Sequence, residues 1–224
     1  MTTSDYLPVE VAVELPDARL GGSLAVPEGA RGLIAFAHGS GSSRYSSRNR
    51  YVAEVLHHAG FATLLFDLLT ANEAEVDVLT RALRFDIALL SQRLSGAVAW
   101  LSLRADIGAL PIGLCGASTG AAAALQTAAA DPARIVAVVS RGGRPDLAGD
   151  ALPRVRAPTL LIVGGHDDLV IALNQSAARR MQCVHDVALV PGATHLFEEP
   201  GALEQAAALA RDWFLRYCAA HVPV

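Results

Sequence analysis

The stretch Leu114-Cys115-Gly116-Ala117-Ser118-Thr119-Gly120, followed by four alanines, decides how this chain is read. It is a G-x-S-x-G sequence joining two different patterns. Before it, Pro111–Gly116 is an apolar run of the kind found in strands buried on both faces. After it, Thr119–Ala130 is a run of small residues that reads as a helix. A turn this sharp holds its serine in a strained backbone conformation, and small residues two places before and after let strand and helix approach closely. The helix N-terminus adds unpaired N–H groups and the positive end of a dipole, both of which favour developing negative charge. The same five residues alone would also suit an ordinary Gly-rich turn with Ser or Thr as helix cap. Their place between this strand and this helix makes Ser118 a candidate nucleophile.

Outward from this turn, strands and helices alternate. Val9–Leu15 and Leu20–Val26 flank Pro16-Asp17-Ala18 and read as an antiparallel hairpin. Further strands are expected at Gly32–His38, Phe61–Asp67, Ile135–Ser140, Thr159–Gly164 and Asp186–Pro191. Helices are expected over Arg48–Ala59, Thr80–Leu103, Ile171–Gln182 and Ala202–Ala219. In Thr80–Leu103 the apolar residues Leu83, Ile87, Leu90, Leu94, Ala97 and Leu101 recur at helical spacing. This alternation predicts an α/β fold of about eight mostly parallel strands, with right-handed crossovers and helices on both faces. No linker or repeat interrupts it, so residues 1–224 read as a single domain without a lid domain.

Composition narrows the chemistry. The chain has 224 residues, 52% of them hydrophobic, and a net charge of −4, which excludes bulk disorder and binding driven by phosphate neutralisation of nucleic acid. All eighteen cationic residues are Arg, so a P-loop lysine, a Schiff base and a Ser–Lys dyad are excluded. Cys115, Cys183 and Cys218 fit neither a disulfide framework nor a zinc site, and reduced thiols suggest the cytoplasm. The first fifteen residues lack the basic and apolar regions of a signal peptide, and no stretch suits a membrane span. No metal-ligand spacing occurs, so neither a metal nor a cofactor is expected.

In such a sheet, ligands sit at the C-terminal ends of the strands. Three loops besides the Ser118 turn carry candidates. Gly164-Gly165-His166-Asp167-Asp168 offers Asp167 as the acid that orients an imidazole, with Asp168 as a helix cap or solvated and Asp146 in reserve. Gly192-Ala193-Thr194-His195 offers His195 as general base, in the chain order Ser118, Asp167, His195. His57, His58, His166, His185 and His221 have no such placement and read as structural or solvated. His38-Gly39-Ser40-Gly41-Ser42 offers a tight turn whose Ser40 N–H, with that of Thr119, forms an oxyanion hole. Read instead as a phosphate cradle, that loop would lack both a lysine and G-x-G-x-x-G. Candidate substrate contacts are His38, Gly39 and Arg141. Arg141 and Arg144 form one Arg group near this face, and Arg44, Arg48 and Arg50 another.

With HGSGS, GASTG, GGHDDLV and GATHLF in this order, the chain resembles the dienelactone-hydrolase-like group of α/β-hydrolases over nearly its whole length. Dienelactone hydrolases proper carry a cysteine at the elbow, whereas here the residue is Ser118 and Cys115 lies earlier, on the strand. The resemblance therefore implies a general serine esterase acting on small soluble esters. Thioesterase or cofactor-free peroxidase chemistry on the same fold is the alternative, as is a non-catalytic scaffold. The expected partner is a small-molecule ester, with no nucleic acid and no membrane. An open, shallow pocket is expected.

Overall fold

The computed structural model describes residues 5–218. Eight strands form one sheet in the order β1-β2-β4-β3-β5-β6-β7-β8. They are β1 (Val9–Glu14), β2 (Arg19–Ala25), β3 (Leu33–Ala37), β4 (Ala62–Phe66), β5 (Ile112–Ala117), β6 (Ile135–Arg141), β7 (Thr159–Gly164) and β8 (His185–Val190). β1 pairs antiparallel with β2, and β2 antiparallel with β4, whereas the strands from β4 to β8 across the sheet are parallel. Every residue of β3, β4 and β7 is buried, as their unbroken aliphatic runs require.

Two helical layers cover the sheet. α1 (Ser47–His58) and α6 (Ala202–Tyr217) pack on one face, where Phe61 and Phe214 are fully buried. α3 (Ile87–Ser102) and α4 (Thr119–Ala130) pack on the other, with Leu90, Leu94, Ala97 and Leu101 turned inward. α5 (Asp168–Ala178) follows β7. The predicted last residue of α6, Ala219, lies outside the described residues, as does His221.

The chain runs from β3 outward to β4 and then returns to β5 on the opposite side of β3. The loops after β3 and β5 therefore diverge and leave a crevice between them, the topological switch point at which ligands bind in open α/β sheets.

The helical region before β5 differs from the sequence reading, and a 3₁₀ segment over Pro145–Arg154 follows β6 where no helix is expected. In place of a single helix over Thr80–Leu103, the structure has α2 (Ala71–Thr80), a short 3₁₀ turn at Leu83–Phe85, and then α3. Arg81 ends α2 in the left-handed conformation, and Asp86 caps α3 by accepting the Leu89 N–H. α2 has no apolar stripe for a sequence pattern to show, because Val76, Val78 and Leu79 face solvent and Asp77 is its one buried residue. A signal was present in Thr70-x-x-Glu73, which forms a full capping box.

Candidate active site

Ser118 occupies the turn between β5 and α4 with φ 51° and ψ −122°, a conformation that an L-residue adopts only under constraint. Its surroundings explain the flanking glycines. A Cβ on Gly116 would lie 2.5 Å from the Ala121 Cα, and one on Gly120 would lie 2.2 Å from the Ala37 carbonyl oxygen. The Ser118 carbonyl accepts from the N–H groups of Ala121 and Arg144, which locks the turn.

β7 and β8 pair in parallel with Gly164 opposite Val190, so the loops that follow them leave the sheet side by side. The Gly165 N–H donates to Val190 O and the His166 N–H to Ala193 O, stitching the two loops together. The Asp167 side chain makes no cap bond to α5. It accepts instead from His195 Nδ1, with a separation of 2.7 Å. A carboxylate has only acceptors, so this bond fixes the imidazole proton on Nδ1 and leaves Nε2 with a free lone pair. Asp168 opens α5 and is exposed, and Asp146 is taken by Arg144 at 2.8 Å.

Ser118 and His195 line one cavity of about 270 Å³, together with Gly39 and Ser40. Gly39 has to be glycine, since a Cβ there would lie 2.9 Å from the Ser118 Cβ. Thr119 is the first residue of α4, so its N–H has no carbonyl one turn back to bond. His38 uses both ring nitrogens inside the protein: Nδ1 donates to Gly39 O and Nε2 accepts the Leu68 N–H. Burial holds its pKa below the usual histidine value, consistent with a neutral ring in this role. The ring thus ties the loop after β3 to the loop after β4 and has no nitrogen left for a ligand. Cys115 is buried in β5, where desolvation pushes its thiol up to about 12 and leaves almost no thiolate at neutral pH.

Where the sequence reading expects a shallow, open pocket, the structure has a second cavity of about 520 Å³ across the Gly39–Ser42 loop. Leu68, Leu69 and Leu90 line it, and α2 supplies Ala71, Ala74 and Val78. Thr119, Gly39 and Ser40 border it, so it adjoins the smaller cavity at the loop they share. Arg84 lies over Gly41 and is bonded to Asp77 at 2.6 Å, pinning α2 to the 3₁₀ turn.

The two Arg groups separate. Arg44 pairs with Asp67 and Glu10, Arg144 with Asp146, and Arg48 with Glu198 at 3.1 Å. Arg141 alone is buried beside Ser118, bonded to the neutral Asn49. Burial lowers its pKa, and nearby Arg48 acts in the same direction.

Residues 20–217 match the model of the dienelactone hydrolase family. The chain belongs to that family. It is 56% identical to a dienelactone hydrolase from Anabaena variabilis whose crystal structure superposes with a TM-score of 0.93, covering 95% of this chain and 99% of that one. An esterase from Pyrococcus furiosus, at 19% identity and a TM-score of 0.75, covers 95% of this chain and 94% of its own and shares the fold. Proteins from two strains of Mycobacterium tuberculosis, provisionally named phosphoribosyl transferases, are 59% identical over 207 residues. Those residues are 92% of this chain and 46% of theirs, so the chain spans about half the length of these curated relatives. Among the described residues, no helix is long and apolar enough to cross a membrane.

Proposed function

We propose that this member of the family is a serine hydrolase that cleaves carboxylic esters through Ser118, His195 and Asp167. The observation that carries this reading is the strained Ser118 turn, which opens into the same cavity as an imidazole whose Nδ1 is bonded to Asp167. His195 Nε2 takes the Ser118 proton as Oγ attacks the ester carbonyl. The N–H groups of Ser40 and Thr119 receive the oxyanion, and each such donor lowers the barrier by about 3 kcal/mol. Collapse of the tetrahedral intermediate breaks the C–O bond, and His195 returns the proton to the departing alcohol. Water, deprotonated by His195, then releases the acid from Ser118.

His38 acts here as a strut that positions Ser40. The dienelactone hydrolase and esterase among the similar structures support hydrolysis. The transferase name belongs to proteins of which this chain matches less than half.

A fluorophosphonate probe, followed by peptide mass spectrometry, tests the assignment. The probe should modify Ser118 alone, and Ser118→Ala should lose labelling and roughly 10⁴-fold or more of 4-nitrophenyl acetate hydrolysis. Undiminished turnover in Ser118→Ala would refute the assignment.

A further inference from the structure

The smaller cavity contains a guanidinium without a counter-charge. Arg141 ends β6 in register with Ala117, the residue before Ser118. The residue is 7% exposed. Its Nη2 donates to Asn49 Oδ1 at 2.7 Å, and its guanidinium carbon lies 5.8 Å from the centre of the Phe197 ring. Its other N–H groups have no partner among the described residues, and the side chain lines the cavity. The equally buried Arg93, by contrast, is held between Asp17 and Glu73. Burying a charge without an opposite charge is unfavourable, so Arg141 is a group waiting for an anion.

A second feature converges on the same space. The first turn of α1 contributes Ser46, Arg48 and Asn49 to the cavity wall and contains no acidic residue. The positive end of a twelve-residue helix therefore adds to two guanidinium groups, that of Arg141 and that of Arg48, the latter already paired with Glu198 at 3.1 Å. These donors come from separate elements. A planar carboxylate saturates one guanidinium fork, whereas a tetrahedral group with three terminal oxygens can meet all of them.

We propose that this corner, centred on Arg141, binds a phosphate group carried by the substrate, making Arg141 the residue that selects a phosphorylated ester. The inference deepens the hydrolase reading and depends on it only for the word ester.

Calorimetric titration of the whole chain with inorganic phosphate and with glutarate tests binding without any turnover. Phosphate should bind, glutarate should bind more weakly, and Arg141→Met should weaken phosphate roughly 10- to 100-fold. Arg48→Met should weaken it less, and Arg141→Lys should restore part of the loss, which separates charge from packing; thermal melts establish that each variant is folded. Phosphate should also compete with 4-nitrophenyl acetate. No phosphate binding to the wild-type chain, equal binding by folded Arg141→Met, or tighter binding of glutarate would each overturn the proposal. Phosphate binding lost in Arg141→Met, in a chain that turns over no ester, would uphold the anion site while removing the hydrolase reading.

Discussion

The two cavities flanking the Gly39–Ser42 loop are built differently. The smaller one is walled by the ends of β5 and β6, the first turn of α1 and the His195 loop, all anchored to the sheet. The larger one is roofed by α2, whose single buried residue is the charged Asp77. Ion pairs from Asp77 to Arg84 and from Glu73 to Arg93 tie that roof down in place of an apolar stripe. Close packing fixes the side that holds Ser118 and His195, while polar contacts hold the side roofed by α2. Such a roof can open at far lower cost than the sheet can.

The largest effect that would test this contrast is on the packed side. Gly120→Val would drive a side chain into the Ala37 carbonyl, and the expected loss in urea unfolding is about 3 kcal/mol or more, with activity lost alongside. A variant as stable as the parent would mean that the elbow is looser than described.

A smaller effect is expected on the roof. Thr70→Ala removes the cap that accepts the Glu73 N–H, at a cost of about 1 kcal/mol. Amide exchange should accelerate across residues 71–80 and stay unchanged in β5. KM for esters with bulky limbs should rise, while that for 4-nitrophenyl acetate should not. Uniform acceleration across both regions would erase the distinction.

The smallest effect is graded with pH. His38 and His57 both have pKa values held below the usual histidine value, by burial first and, for His57, by neighbouring His58 as well. A lowered pKa means that the unfolded chain binds more protons, so stability is complete above about 6.5 and declines as pH falls towards the folded values. His38→Gln should flatten part of that decline between pH 7 and 5 in melting experiments. An unaltered slope would show that the strut between the β3 and β4 loops does not titrate.

The same contrast governs what could be read beforehand. Fully buried parallel strands leave aliphatic runs such as LIAFA and TLLIV, so β3 and β7 were legible to within a residue or two. The turn after β5 needs small residues for steric reasons, so Gly116, Ser118 and Gly120 stood out together, while Asp167 and His195 were candidates by their loops past β7 and β8 and by chain order. α2 left no such trace, since its apolar residues point outward and its anchors, Asp77–Arg84 and Glu73–Arg93, join positions that no periodicity links. The larger cavity, which depends on that helix, was invisible for the same reason. Arg141 was legible as a charge after an apolar strand; that it pairs with no carboxylate among the described residues required the packed structure.

The left-handed serine has an evolutionary corollary. Glycine would relax residue 118 by about 1–3 kcal/mol. Such a replacement would give a more heat-resistant chain without the hydroxyl on which the proposed chemistry depends.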